Sequence, residues 1–110
     1  MKLSIILPNC DVPRAPDQWT EVRLQVRVAW RKLALDRLSP NIPIGLGFRW
    51  TTRRNATSID PGWLWSTMWA IIEDECLKAG DDPKVYILES RVTAAKLERP
   101  ECRLFLQVKT

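Results

Sequence analysis

The feature that most constrains this chain is a run of strict alternation near its middle. Ile42, Ile44, Leu46, Phe48 and Trp50 take every second position, with Pro43, Gly45, Gly47 and Arg49 between them. Successive side chains of a strand point to opposite faces, so the run predicts a strand with one face buried. Leu3 to Leu7 reads as an earlier strand ended by Pro8, and Pro8 to Asp17, with three prolines and two aspartates, reads as a loop.

Helices are predicted on both sides of the alternating strand. Thr20 is placed to cap the first, with Trp19 and Leu24 as a hydrophobic staple. Val22, Leu24, Val26, Val28 and Trp30 alternate as a strand would. The same stretch also gives one helical face (Val22, Val26, Ala29, Trp30, Leu33) and an opposite one (Leu24, Val28, Leu35). Its length through Leu38 decides for helix. A helix apolar on two faces needs cover on both, from its own sheet and from something else such as a subunit partner. The second helix starts at Asp60 and Pro61. The carboxylate accepts exposed N–H groups there, and proline is tolerated at the first helical position. It is expected to run to about Ala79 and end at Gly80, with Asp81-Asp82-Pro83 as the turn. Val85 to Val92 and the alternating Cys102, Leu104, Leu106 and Val108 give two final strands. The expected fold is α/β (α+β). It is a single domain over residues 1–110 with a small mixed sheet of about four strands and two main helices, in the order β-α-β-α-β-β.

Composition narrows function. With 45% hydrophobic residues in 110, the chain can build one ordinary core. It holds no apolar run near the roughly 20 residues that cross a bilayer, and its opening is too short for a signal peptide, so a cytoplasmic, soluble protein is expected. Cys10, Cys76 and Cys102 lack CxxC spacing and the chain has no histidine. A disulfide scaffold, a zinc site and Cys/His catalysis are therefore disfavoured. The formal charge of +4, from 17 basic and 13 acidic residues, suits a polyanionic partner and equally an ordinary surface. Arg23, Arg27 and Arg31 recur at four-residue spacing, either as a solvated stripe or as phosphate contacts. The six tryptophans suit cores, interfaces and base stacking alike.

Two segments carry a resemblance. Arg53-Arg54-Asn55-Ala56-Thr57-Ser58-Ile59-Asp60-Pro61-Gly62-Trp63-Leu64-Trp65-Ser66-Thr67-Met68-Trp69 and the later Ala79-Gly80-Asp81-Asp82-Pro83-Lys84-Val85 resemble the central block of phage-type, RusA-like Holliday junction resolvases. In that family a strand ends in an arginine-rich turn, an Asp-x-Asp-Asn motif opens a helix bearing a lysine, and paired aspartates after Ala-Gly precede a strand. The resemblance implies a homodimer that binds four-way DNA junctions and cuts them with Mg²⁺ held by carboxylates. Asp60 matches the first aspartate, and Asp81 and Asp82 match the later pair, which makes all three metal candidates and Asp60 and Asp82 the catalytic ones. Gly62 stands in place of the second aspartate, Trp63 in place of the asparagine, and Trp69 in place of the lysine. The segment between Gly80 and Asp81 is shortened.

These departures lead to the expectation of a junction-binding protein whose cutting is reduced or lost, with Arg23, Arg27, Arg31, Arg53 and Arg54 as DNA contacts. One alternative is a phage accessory protein that inhibits a bacterial host protein through Trp63, Trp65 and Trp69. Another is an active nuclease with a rearranged site. The plainer readings are that Asp60 is an N-cap, that Asp81 and Asp82 form a turn, and that Glu73, Asp74 and Glu75 are a solvated patch.

Overall fold

The computed structural model describes residues 2–33, 43–77, 84–96 and 98–108. In chain order they form β1 (Lys2–Pro8), α1 (Pro16–Lys32), β2 (Ile44–Thr52), a 3₁₀ turn (Ala56–Ser58), α2 (Pro61–Cys76), β3 (Val85–Ala94) and β4 (Glu101–Val108). The expected order β-α-β-α-β-β is observed. The strands make one mixed sheet in the order β1-β4-β2-β3. β4 runs antiparallel to both β1 and β2, while β3 lies parallel to β2, the pair that a helical crossover such as α2 permits.

Period-two patterning decides which face of the sheet is covered. Ile44, Leu46, Phe48 and Trp50 of β2 and Cys102, Leu104, Leu106 and Val108 of β4 are all buried. Against them pack Val22, Val26, Ala29 and Trp30 of α1 and Leu64, Trp65, Met68, Ile71 and Ile72 of α2. Both helices therefore sit on one side of the sheet, and the core lies between the two layers. β2 extends the expected alternation to Thr52, a buried polar residue whose hydroxyl donates to the Asp11 carboxylate. It begins at Ile44, after Pro43, and Ile42 lies outside the described residues.

Two expected boundaries differ. The first helix starts at Pro16, not after Thr20. Proline's missing N–H is no loss at the first turn, and Asp17 faces the positive helix end there. Thr20 thus lies inside α1, and Ala15 is the cap residue without a side-chain cap bond. Leu24 does not staple over Trp19. It is 51% exposed, on the outward side with Val28. Leu35 and Leu38, the expected last turn, lie outside the described residues. The second helix starts where Asp60 and Pro61 put it. It ends at Cys76, because Leu77 turns to extended backbone and packs on the core.

Candidate functional site

β1 and β2 both oppose β4, so they point the same way, and the loops that follow them meet at one end of the sheet. Carboxyl ends of strands are where two-layer and three-layer α/β folds build sites. Here the two loops are tied by Asp11. Its carboxylate accepts from the N–H groups of Val12 at 2.7 Å and Arg53 at 3.1 Å, and from the Thr52 hydroxyl. Arg54 completes the knot by donating to the carbonyls of Pro13 at 2.8 Å and Val12 at 3.4 Å. Beside the knot lies a cleft of about 440 Å³, lined among others by Asn9, Asp11, Arg14, Gln18, Glu21 and Arg54. Cys10 also lines it, but burial and the nearby Asp11 and Glu21 carboxylates push its thiol up to about 12, so it is no nucleophile at neutral pH.

Arg54 is thus a structural clamp, whereas the Arg53 side chain is exposed and makes no side-chain hydrogen bond or ion pair among the described residues. Sequence reading singled out both arginines and missed Asp11. The signal was present: an aspartate just past a strand end, in a loop whose Pro8, Pro13 and Pro16 supply no N–H donor, is placed to collect the donors of a neighbouring turn.

Asp60 opens α2 as its N-cap, its Oδ1 accepting from the N–H groups of Gly62 at 2.9 Å and Trp63 at 3.4 Å. Asp81 and Asp82 lie outside the described residues. Lys84, the first described residue after them, accepts from the Ile44 N–H at the start of β2, with all 16 residues of α2 between it and Asp60. Among the described residues no three carboxylate, cysteine or histidine side chains gather as a metal would require. Gly62 and Trp63, which follow Asp60 and Pro61 into α2, carry no oxygen-bearing side chain that could add a metal ligand.

The three tryptophans of α2 have separate fates. Trp63 is 54% exposed and meets Trp19 of α1 edge to face, with ring centroids 6.2 Å apart. Trp65, expected at a partner surface, is a core residue instead: it is 8% exposed and its indole N–H donates to the Leu46 carbonyl at 2.9 Å. Trp69 is partly buried against the core. Helical geometry explains the difference, since residues 63 and 65 are about 200° apart around the axis.

The arginine stripe of α1 is divided too. Arg23 bonds Asp74 at 2.7 Å and Glu75 at 3.1 Å, and Arg27 pairs with Glu75. The Arg27 and Arg23 hydrogen bonds hold the Glu75 carboxyl below its ordinary range. The acidic patch read as solvated therefore includes two residues that link α2 to α1, and Glu73 alone of the three stays unlinked among the described residues. Arg31 is exposed and has no side-chain hydrogen bond or ion pair among the described residues.

No protein-family model and no curated protein sequence matches the chain. No helix among the described residues is long and apolar enough to cross a membrane.

Proposed function

We propose that the protein is a phage-type, RusA-like DNA-junction-binding protein in which Mg²⁺-dependent cutting is reduced or lost. It would act as a homodimer in the cytoplasm of a bacterial host. The observation that carries this reading is the start of α2. Across residues 60–63, where the resembled motif opens its helix, the one carboxylate is that of Asp60, which caps the helix, and Trp63 presents an exposed indole braced by Trp19. Exposed Arg53 precedes it in the same loop and turn. Aromatic surface with cationic groups near it grips bases and phosphates without needing a hydrated cation.

A titration of a synthetic four-way junction beside a linear duplex of the same sequence, with and without Mg²⁺, tests this. The expected result is junction affinity about tenfold or more above duplex affinity, falling steeply with salt, without strand cleavage. Equal affinity for the two DNAs would sink the reading. Cleavage lost on Asp82→Asn would replace it with an active nuclease built on Asp60, Asp81 and Asp82.

One observation favours a second reading, a host-protein inhibitor. Trp63 is exposed on a rigid helix and buttressed by a second ring, as interface anchors are. Capture of one bacterial protein that is lost with Trp63→Ala, together with no junction binding, would select it.

A further inference from the structure

The second face of the sheet carries none of the helices. Lys2, Ile6, Arg49, Arg91, Arg103 and Phe105 occupy it, at register positions opposite those of the core strands. Its centre is unusual in construction. Gly45 and Gly47 of β2 stand where side chains would rise. A β-bulge at Leu46/Gly47 brings Leu88 of β3 over the gap. A Cβ on Gly45 would come within 2.7 Å of the Tyr86 ring and 2.8 Å of Leu88. The glycines therefore let Tyr86 and Leu88 lie down on the sheet as an apolar floor, and Leu88 stays 38% exposed.

Beside this floor runs a shallow trough of about 250 Å³, bordered by Lys2, Arg49, Leu88 and Phe105. The Arg49 guanidinium sits 4.8 Å from the centroid of the Phe105 ring, a stacked cation and aromatic pair. Glu89 holds Arg49 in place with two bonds, at 2.9 and 3.1 Å, and also meets Arg91 at 3.4 Å. The face thus carries four basic side chains (Lys2, Arg49, Arg91, Arg103) against two acidic ones (Glu89, Glu101), and Glu89 is already shared by two of the arginines.

We propose that this open face is a platform for single-stranded nucleic acid, with bases stacking on the Phe105, Arg49 and Leu88 surface and phosphates drawn to Lys2, Arg91 and Arg103. Charge selects the occupant. A face with net positive charge repels a second copy of itself laid against it and attracts a polyanion. A helix-free sheet face with an exposed Leu88 and an exposed guanidinium plane backed by the half-buried Phe105 ring fits unstacked bases, which a duplex does not offer. The platform lies on the side of the sheet opposite the helices, so it stands independently of the junction reading built on Trp63 and Arg53.

The test is fluorescence anisotropy of a labelled 20-nucleotide oligothymidylate over a range of salt, with Arg91→Gln/Arg103→Gln and Phe105→Leu as the variants. Neutralising the two arginines is expected to weaken binding at least tenfold at low salt and to lower the salt slope by about 1.4. Phe105→Leu, which keeps the bulk, is expected to weaken binding about fivefold or more through lost stacking. Trp63→Ala and Arg53→Gln are expected to leave oligothymidylate binding unchanged while reducing junction binding, so the two surfaces fail separately. No binding of the oligonucleotide, or binding insensitive to both platform variants, overturns the proposal. So does sedimentation showing a dimer that the arginine variant dissociates, since the face would then be a protein interface.

Discussion

The two faces of β2 are built from adjacent residues of one strand and do opposite things. On one side Ile44, Leu46, Phe48, Trp50 and Thr52 are nearly sealed from solvent, and Trp65 anchors α2 to the strand through the Leu46 carbonyl. On the other side Gly45 and Gly47 have no side chains of their own and are covered by Tyr86 and Leu88 of β3, while Arg49 supplies a cation. The first face is where folding free energy is concentrated, because large apolar groups leave water there. The second contributes little to the core and is free to be shaped for contact. A strand with a bulky face and a nearly bare one is a scaffold on one side and a surface on the other.

The largest expected effect comes from breaking the bulky face. Trp50→Ala removes a fully buried indole from the centre of the sheet and is expected to cost about 3–5 kcal/mol, seen as a drop in the urea midpoint at an unchanged slope. Next is Trp65→Phe, which keeps most of the apolar bulk but deprives the Leu46 carbonyl of its donor. A loss of about 1–3 kcal/mol is expected.

Filling the bare face should be milder. Gly45→Ala must displace the Tyr86 ring and the Leu88 side chain, so about 1–3 kcal/mol is expected, with disturbance centred on β3 in amide spectra. If it costs as much as Trp50→Ala, the bare face is packed like a core and the contrast fails.

The smallest effect concerns the charged link between the helices. Glu75 is held below its ordinary value by Arg27 and Arg23, so the folded state binds a proton there less readily than the unfolded chain. The stability this contributes is present above the unfolded value and is lost as pH falls through the folded one. Thermal unfolding should show a destabilisation below about pH 4.5 that is reduced in Glu75→Gln, while Trp50→Ala leaves that pH profile in place.

The alternation that announced β2 also fixed the sheet's buried face, and the Asp60-Pro61 pair placed the start of α2 to the residue. Both signals are local: one is side-chain period and the other backbone hydrogen bonding. What sequence could not carry was partner choice in three dimensions. Trp63 and Trp65 look equivalent as residue types, and only the turn of the helix against β2 buries one and exposes the other. Arg23 and Arg27 look like phosphate ligands until α2 brings Glu75 between them. The start of α1 was misplaced because Thr20 is a better cap residue than Ala15. Proline at the first helical position outweighed it. Asp11 escaped notice because its role depends on the Thr52–Arg54 turn, 41 residues or more away in the chain.

The proposed junction binding depends on the surface at the start of α2. Titrating a labelled four-way junction with the wild-type protein and with Trp63→Ala/Arg53→Gln, over a range of salt, tests it directly. The expected result is junction-selective binding in the wild type. In the variant, selectivity should fall about tenfold or more and the salt slope should be lower by about 0.9, while the protein stays folded with a melting temperature lowered only by the lost Trp19 contact. Junction binding that is equally tight and selective in the variant, or absent from the wild type, would contradict it.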